Sequence, residues 1–357
     1  MSLCAFDIRT CLNSVRKCRR SFKCSASDLA SKEHCRMYDA VHFMHLSESL
    51  IFIKCDESAN KRTKKMETYL SDFLPLSEID SLHILDTPIP TLPSNAFNDF
   101  TILRLVINRC NLGIIEDGAF NGPLLDSLVE LDLTDNQLGT VPQTGLPRLR
   151  NLRKLYLNRN RISALQPESF STYASRDILL KLELAGNRLT DEGLGDQRIF
   201  RPLRSLQQLS LETNALTAIP SASLVNQRQT LTNLNLGLNQ INEVPVGALD
   251  FPNLSSLSLE FNGITQIIPQ AFQGVPILQY LYLTGNKFPS WQPEMFRYVG
   301  QLRTLGIGET PIAVIPANAF QSACGCLTCP SNHIEFLSAH PLSIQQYDRW
   351  YRYNLNL

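Results

Sequence analysis

The sequence has 357 residues, a formal net charge of zero at pH 7, 43% hydrophobic residues and 18% charged residues. This proportion of apolar residues is sufficient for a sizeable core. The balanced charge argues against a surface adapted to nucleic acid or to an anionic membrane. No run approaches 18 consecutive apolar residues, so the sequence predicts no transmembrane helix and encodes no membrane association.

The two ends of the chain give conflicting indications about the cellular compartment. The N-terminal residues MSLCAFDIRTCLNSVRKCRRSF lack the apolar segment of a normal secretory signal. However, nine of the ten cysteines lie within residues 4–55 and 324–329, and such clustering favours disulfide-closed caps in an oxidising compartment. We expect an extracellular or cell-surface protein, with truncation of the chain as one explanation for the missing signal and a cytoplasmic location as the alternative.

Four segments are predicted in chain order. Residues 1–48 match no pattern and form an unassigned leader, for which disorder is one expectation. Residues 49–78 fit a partial N-terminal cap that leads into the repeats of residues 79–322. Residues 323–357 form a cysteine-containing tail that either covers the edge of the last strand or continues into sequence beyond a truncation.

The pattern LxxLxLxxNxL recurs ten times at intervals of 23 to 27 residues. Its first positions are Ile79, Ile102, Leu128, Leu152, Leu179, Leu206, Leu231, Leu254, Leu278 and Leu302. Leucines at positions 1, 4 and 6 alternate as in a short strand with one apolar face, which a single copy cannot bury. The pattern therefore predicts an α/β leucine-rich-repeat solenoid, a curved horseshoe with a concave parallel β-sheet and about ten repeats.

Position 9 of the repeat predicts an internal ladder of asparagines. It is Asn136, Asn160, Asn187, Asn214, Asn239, Asn262 and Asn286 in seven copies and Thr87, Cys110 and Thr310 in the others. An asparagine there has donors and an acceptor for backbone groups of its own and adjacent repeats. We interpret Cys110 as a small buried ladder residue rather than a reactive thiol.

A second row is expected on the convex side. Phenylalanines recur near position 20 and are predicted to stack on one another; they are Phe97, Phe120, Phe170, Phe272, Phe296 and Phe320.

The segments LPSNAF, VPQTGL, IPSASL and IPANAF, which follow the ladder residue, resemble the extracellular typical type of leucine-rich repeat. Over residues 77–322 the chain is similar to Slit-related and secreted repeat-only proteins of invertebrates. It is also similar to arthropod proteins related to the non-catalytic subunit of a luciferase. The resemblance implies an extracellular protein-binding or matrix-associated molecule, but it does not identify the partner.

The resemblance also implies disulfide caps at both ends of the solenoid. Such families close the first repeat with a C-x-C pair and a later cysteine, and Cys24, Cys35 and Cys55 match three of these positions, although Met37 replaces the second cysteine of the pair. At the other end the disulfide candidates are Cys324, Cys326 and Cys329. Zinc binding by these three with His333 is the less favoured alternative.

No motif of a phosphate loop, zinc protease or serine hydrolase is present in the sequence. We therefore expect a protein that is not an enzyme and takes no cofactor, metal or small-molecule substrate. The one sequon, Asn253-Leu-Ser, predicts a glycan if the protein is secreted.

Positions 3, 5, 7 and 8 of each repeat are expected to project from the concave sheet and to bind a protein partner. Towards the N-terminus the candidates are Arg104, Arg109, Asp132, Asp135, Lys154, Tyr156 and Arg159. Towards the C-terminus they are Leu238, Phe261, Tyr280 and Tyr282. Aromatic side chains beside small polar residues are typical of binding hot spots, whereas tolerated surface residues are the simpler alternative.

The sequence thus favours a non-enzymatic protein-binding module that acts outside the cell through its concave face, with a protein ligand and no nucleic acid. The first alternative is an intracellular scaffold or inhibitor. The second alternative is a non-catalytic subunit of a secreted enzyme complex.

Overall fold

The structure is a computed structural model that describes residues 35–38, 50–55, 78–292, 294–314 and 335–336, with backbone only for residues 35–38, 50–55, 78 and 335–336. The chain forms two compact units. Unit 1 comprises Met1–Leu209 and Ala222–Gln227, and unit 2 comprises Ser210–Ser221 and Arg228–Leu357.

Unit 1 is built on a sheet that is parallel except at its first strand. β1 (Cys35–Tyr38) pairs antiparallel with β2 (Leu50–Cys55). The parallel strands that follow are β3 (Glu78–Leu85), β5 (Thr101–Asn108), β7 (Glu130–Asp132), β8 (Lys154–Tyr156) and β9 (Lys181–Glu183).

Short elements connect these strands. β4 (Thr91–Leu92) and β6 (Ile114–Ile115) form a separate parallel pair. The helical turns are α1 (Leu124–Ser127) and the 3₁₀ turns Leu146–Arg148, Glu192–Leu194 and Val225–Gln227. Such short turns let one repeat return to the start of the next within about 25 residues.

Unit 2 repeats the same architecture. Its parallel strands are β11 (Asn233–Asn235), β12 (Ser256–Ser258), β13 (Tyr280–Tyr282), β14 (Thr304–Gly306) and β15 (Glu335–Phe336). A 3₁₀ turn spans Pro269–Phe272, and β10 (Gln208–Ser210) lies at the boundary of the two units. The predicted solenoid is confirmed: in the described residues a parallel sheet of about ten strands belongs to about nine solenoid turns.

The core follows the predicted register of the repeat. All ten first positions are buried, and the most exposed of them, Leu302, has 6% of its surface accessible. Neighbouring strands align equivalent positions, as Leu131 with Leu155 and Leu257 with Leu281. Because each repeat places its leucines against those of its neighbours, stacking buries a face that one repeat leaves open.

The asparagine ladder is confirmed. Asn160 Nδ2 donates to the carbonyl oxygens of Leu133 in the preceding repeat (3.0 Å) and Leu157 in its own (3.1 Å), while its Oδ1 accepts from the Leu138 amide (3.0 Å). The same three contacts recur at Asn187, Asn239, Asn262 and Asn286. The ladder thereby satisfies buried backbone groups where the chain leaves each strand.

Cys110 occupies the ladder as predicted. It is fully buried, and its side chain is in the thiol form. Its Sγ lies within hydrogen-bonding distance of the carbonyl oxygens of Ile84 (3.5 Å) and Asn108 (3.2 Å), which are equivalent to the Leu133 and Asn158 carbonyls that Asn160 contacts. The thiol is therefore a structural group.

The aromatic row is present in part. Rings of Phe97 and Phe120 stack at 6.2 Å, and those of Phe272 and Phe296 at 6.5 Å. Phe170 stacks instead on Phe200 at 6.3 Å, and Phe200 was not among the predicted residues. Phe200 stands at position 22 of its repeat, three positions after position 19, where the predicted phenylalanines stand. Phe320 lies outside the described residues.

The predicted ends are only partly within the described residues. In the β1–β2 register the backbone of Cys35 lies opposite that of Cys55. Cys24, Cys324, Cys326, Cys329 and His333 lie outside the described residues, so the disulfide and segment assignments stay predictions. In the part of the chain that the structure describes, no helix has both the length and the apolar character of a membrane span.

Candidate binding surface

The side chains at positions 3, 5, 7 and 8 of the repeats form what we call the strand face of each unit. Along each strand these residues alternate with fully buried leucines, as the Leu155 side chain between Lys154 and Tyr156 shows. At position 8 the chain turns off the strand with a left-handed backbone, with φ of 49° at Arg159 and 53° at Leu238. This turn directs position 8 outwards and the ladder residue at position 9 inwards.

Position 8 of unit 1 carries two ion pairs between adjacent repeats. Arg109 Nε lies 2.5 Å from Asp86 Oδ1, and Arg159 Nε lies 2.5 Å from Asp135 Oδ1. The hydrogen bond to Asp86 raises the pKa of Arg109 above its ordinary value. Three of the predicted partner-binding residues therefore form ion pairs within the chain: Arg109 pairs with Asp86, and Asp135 and Arg159 pair with each other.

Positions 3 and 5 of unit 1 form a second charged network. Lys154 Nζ lies 3.3 Å from Glu130 Oε2, and Lys181 Nζ lies 2.9 Å from Glu183 Oε1. The same Lys181 ammonium lies 5.1 Å from the centre of the Tyr156 ring, within the range of a cation–π contact. Burial, together with Glu130 and the other carboxylates around it, raises the pKa of Tyr156 far above its ordinary value, so the phenol stays protonated.

Asp132 lies half-buried beside this network. Its Oδ1 accepts from the Thr134 amide (2.9 Å) and its Oδ2 from Asn108 Nδ2 (3.3 Å). Burial raises the pKa of Asp132, against the opposing effect of these hydrogen bonds. On β3, His83 Nε2 lies 2.8 Å from Ser81 Oγ, and burial lowers the pKa of His83.

The unit 1 residues predicted from the sequence include Arg104, which is exposed, but not Glu130, Lys181 and Glu183. These three complete the network and stand at positions 3 and 5. The register already found would have identified them. The ion pairs between side chains of adjacent repeats depend on the distance between stacked strands, and the sequence pattern does not give this distance.

The strand face of unit 2 carries aromatic side chains beside glycines. Phe261 is half-exposed and lies over Gly285, where an added Cβ would overlap its ring. Tyr282 lies beside Gly306, where an added Cβ would sit 3.1 Å from Thr284 Oγ1 and 3.3 Å from Tyr282 Cδ1. Tyr280 is 36% exposed. The structure therefore places these three candidates on the strand faces of adjacent repeats.

The strand face of unit 2 also carries polar groups. Asn235 Nδ2 donates to Glu212 Oε2 (3.0 Å), and Asn235 Oδ1 accepts from the Gly237 amide (3.0 Å). Glu260 is only 5% exposed; burial and this carboxylate raise the pKa of Tyr282. Leu238, the remaining candidate, is half-buried and donates its amide to the Glu260 carbonyl (2.7 Å).

The two strand faces differ in charge. Between Ser81 and Gly186, unit 1 has five basic residues (Arg104, Arg109, Lys154, Arg159 and Lys181) and five acidic residues (Asp86, Glu130, Asp132, Asp135 and Glu183) at these positions. Between Ser210 and Glu309, unit 2 has Glu212, Glu260 and Glu309 at these positions and no Lys, Arg or His. The first face is balanced and internally paired, whereas the second is acidic and aromatic.

Two further sequence expectations concern single sites. Asn253 of the sequon is exposed, and its Nδ2 uses one hydrogen in a bond to the Gln229 carbonyl (2.9 Å). Within the described ranges no group of three or more His, Cys, Asp or Glu side chains is arranged to hold a metal ion.

The Leucine rich repeat family model matches residues 100–162, 126–189, 150–216 and 229–288. The chain is 36% identical to lumican of Gallus gallus over 180 residues, which are 48% of this chain and 48% of lumican. It is 31% identical to podocan of Mus musculus over 229 residues, 62% of this chain and 35% of podocan. It is 30% identical to tsukushi of Rattus norvegicus over 263 residues, 66% of this chain and 70% of tsukushi.

These relatives are secreted or matrix-associated leucine-rich-repeat proteins without enzymatic activity. The chain spans about half the length of lumican and about a third of podocan. The comparisons therefore show similarity to secreted leucine-rich-repeat proteins of the matrix. They do not confirm the resemblance to Slit-related or luciferase-related proteins of invertebrates.

Proposed function

Because the chain belongs to the leucine-rich-repeat family, we propose that it is a non-enzymatic protein-binding module that acts outside the cell, at the cell surface or in the matrix. The binding surface is the strand face, and within it the aromatic group Phe261, Tyr280 and Tyr282 of unit 2 is the contact region. The secreted relatives support the extracellular location. The Slit-related and luciferase-related assignments stay predictions.

The observation that carries this proposal is the way unit 2 holds its aromatic side chains. Phe261 and Tyr282 rest beside Gly285 and Gly306, so backbone rather than flexible side chain supports the rings. The parallel strands β12, β13 and β14 hold these residues in register. A surface that is ordered before binding loses little conformational entropy when it meets a partner, and large aromatic groups contribute most to such contacts.

The test uses the full chain immobilised and exposed to an extract of the extracellular matrix that surrounds the cells expressing it. The variant Phe261→Ala, Tyr280→Ala, Tyr282→Ala removes the aromatic group. The control variant Val246→Ala, Ile268→Ala, Ile277→Ala removes three exposed apolar side chains that do not stand at strand-face positions. Circular dichroism and denaturant unfolding verify that both variants fold.

We expect the wild-type chain and the control variant to retain the same proteins and the aromatic variant to retain at least about tenfold less, the effect of losing about 1.4 kcal/mol. Equal retention by all three chains contradicts a role for the strand face. Retention of cytosolic proteins alone would favour an intracellular scaffold, and retention of a secreted enzyme would favour the subunit hypothesis.

A further inference from the structure

We propose that one edge of the unit 1 sheet binds a linear sulfated polysaccharide. This edge lies where the chain enters the strands β8, β9 and β10. We call it the arginine edge and define it as residues 147–153, 174–180 and 201–207. The proposal adds a second binding surface to the strand face and shares with the proposed function only the extracellular setting.

The arginine edge is rich in one type of cation. Its three segments read PRLRNLR, ASRDILL and RPLRSLQ, and Asp177 is the one acidic residue among them. The six arginines, all of them exposed, are Arg148, Arg150, Arg153, Arg176, Arg201 and Arg204. The neutral charge of the whole chain therefore conceals a local excess of guanidinium groups.

Stacking of adjacent repeats brings the three segments together. The Leu180 amide donates to the Arg153 carbonyl, and the Gln207 amide donates to the Leu180 carbonyl, each at 2.8 Å. Neighbouring strands lie about 4.8 Å apart, so three repeats span roughly 10 Å along the stacking direction. Segments that lie 27 residues apart in the sequence thus form one continuous surface.

One aspartate serves two of these arginines. Arg176 Nε lies 3.7 Å from Asp177 Oδ2, and Arg204 Nε of the next repeat lies 3.5 Å from Asp177 Oδ1. A guanidinium group has five N–H donors, so one carboxylate cannot occupy the donors of both arginines. The Arg204 side chain keeps 80% of its surface accessible, which leaves most of its donors open to an external oxyanion.

Two further ion pairs balance only part of the charge. Arg150 Nη1 lies 2.7 Å from Asp126 Oδ1, and Arg148 Nη1 lies 3.8 Å from Asp117 Oδ2. With these aspartates and Asp177 included, six arginines face three aspartates, so the surface has a formal charge of +3. Ion pairs as exposed as these are weak, and an external polyanion can therefore compete for the guanidinium groups.

The composition of the arginine edge favours a sulfated polysaccharide over a protein or a nucleic acid. Sulfate esters are permanently ionised oxyanions, and arginine pairs with oxyanions through two parallel hydrogen bonds. None of the large apolar side chains exposed in the described residues lies in the three segments, so the edge lacks the anchors of a protein interface. The segments contain no aromatic residue on which bases could stack. Secreted and matrix-associated relatives support a setting in which such polysaccharides occur.

Isothermal titration of the full chain with a heparin oligosaccharide tests the proposal. The edge variant is Arg153→Gln, Arg201→Gln. The matched control is Arg161→Gln, Arg188→Gln, which removes two exposed arginines at position 10 of their repeats, beyond the opposite end of the strands. Comparison ligands are a fully desulfated oligosaccharide of the same length and a duplex DNA of similar charge. Circular dichroism verifies that both variants fold.

We expect the control variant to bind the heparin oligosaccharide within about twofold of wild type and the edge variant to bind it at least about fivefold more weakly, with a smaller salt dependence. The desulfated oligosaccharide should not bind. Duplex DNA should bind more weakly than heparin, because a stiff duplex cannot follow so small a surface as a flexible chain can. Equal weakening by both variants, or equal binding of the desulfated oligosaccharide, would overturn the proposal, and DNA bound as tightly as heparin would assign the edge to nucleic acid instead.

The two binding surfaces are tested separately. The variant Phe261→Ala, Tyr280→Ala, Tyr282→Ala should bind heparin as wild type does, and the edge variant should retain matrix proteins through the strand face. Absence of heparin binding with intact protein retention rejects the polysaccharide and leaves the proposed function standing. Heparin binding without any dependence of protein retention on the aromatics rejects the strand face alone.

Discussion

Asn160 shows how a single residue joins two repeats. Its side-chain amide contacts one backbone amide and one carbonyl group of the preceding repeat, and only 7% of the residue's surface is exposed. The backbone amides of Ile162 and Ile241, which are equivalent to that of Leu138, donate in the same way to the asparagine of the following repeat, Asn187 and Asn262. The ladder therefore provides hydrogen-bond partners for buried backbone amides and carbonyls, which apolar side chains cannot provide.

Replacing this residue is expected to destabilise the protein strongly. Asn160→Ala leaves the Leu138 amide and the Leu133 and Leu157 carbonyls buried without their side-chain partner. Several such groups together should lower the free energy of unfolding by about 3 kcal/mol. Urea unfolding followed by circular dichroism measures the change, with Asn242→Ala, an exposed asparagine, as the control expected within about 0.5 kcal/mol of wild type. Equal stability of the two variants would contradict the role of the ladder.

Asp132 is a residue whose ionisation opposes folding. Because burial raises its pKa, the folded chain binds the Asp132 proton more tightly than the unfolded chain does. The stabilising contribution of the protonated form is present below the unfolded pKa of about 3.9 and is lost as the pH rises through the raised folded pKa. At pH 7 the buried charge therefore costs stability.

Asp132→Asn should remove this cost. The introduced amide oxygen can still accept from the Thr134 amide, and its nitrogen can donate to Asn108 Oδ1, a buried atom without a hydrogen bond in the structure. We expect the variant to be more stable than wild type by about 1 kcal/mol at pH 7, with the difference vanishing below about pH 4. Urea unfolding at a series of pH values measures this.

Asp196→Asn is the control with the opposite sign. Its hydrogen bonds with Arg198 lower the pKa of Asp196 to about 2, so its contribution is present above the unfolded pKa and lost as the pH falls through about 2. Asp196→Asn should therefore make the protein less stable at neutral pH, whereas Asp132→Asn should make it more stable. A gain for both variants would show that the pH dependence does not come from these groups.

At the scale of the element, each strand is followed by a turn that directs the side chain at position 8 outwards and the ladder residue at position 9 inwards. Eight non-glycine residues adopt the left-handed backbone at position 8, with φ between 49° and 59°. They are Asp86, Arg109, Asp135, Arg159, Thr213, Leu238, Phe261 and Glu309. A residue other than glycine has a conformational cost there, and the presence of such residues in eight of the ten repeats shows that the contacts of the turn and of the ladder residue outweigh this cost.

Gly285 combines this backbone with a close approach of Phe261. Gly285→Ala introduces a Cβ at φ 71° that overlaps the phenyl ring, whereas Gly247→Ala introduces one at φ 79° with no atom within 4 Å. We expect Gly247→Ala to cost about 1 kcal/mol from backbone strain alone and Gly285→Ala to cost at least about 1 kcal/mol more.

Guanidinium unfolding of both variants measures the difference. The double variant Phe261→Ala, Gly285→Ala tests the contact between the Phe261 ring and Gly285. Without the ring, Gly285→Ala should destabilise the Phe261→Ala protein only as much as Gly247→Ala destabilises the wild type. The same cost for both glycines in the presence of Phe261 would show that the ring does not rest on the Gly285 backbone.

At the scale of the whole molecule, the chain is a set of stacked repeats whose surface chemistry changes between the two units. One strand face is neutral and internally paired, and the other is acidic and aromatic. Secreted relatives support an extracellular setting, in which exposed sequons of the chain are accessible to glycosylation.

Glycosylation of Asn253 would test the extracellular location. We expect the chain expressed behind a cleavable secretory signal to carry one glycan at Asn253, because the residue is exposed and retains an amide hydrogen beside its bond to Gln229. Removal of the glycan by a peptide N-glycosidase should increase gel mobility, and the Asn253→Gln and Ser255→Ala variants should show no such shift. A secreted chain of unmodified mass would disprove accessibility of this sequon.

Most of the fold was predictable from the residue types at the repeating positions. Regular leucines and asparagines located the buried positions and the ladder, including Cys110 within it. The Phe170–Phe200 stack was missed because an insertion within a 27-residue repeat shifts Phe200 from its expected place. Candidate surface residues were placed on the correct face, but their interactions were not predicted, as the Lys181 contact with Tyr156 shows.

The sequence alone determined the period, the inward residues and the absence of strand-face cations between Ser210 and Glu309, because these depend on residue type at repeating positions. Only the tertiary structure decided that Arg109 and Arg159 are held by aspartates and that Phe261 rests on Gly285. Such contacts join residues more than twenty positions apart, and they form only when stacking brings adjacent turns to within side-chain reach.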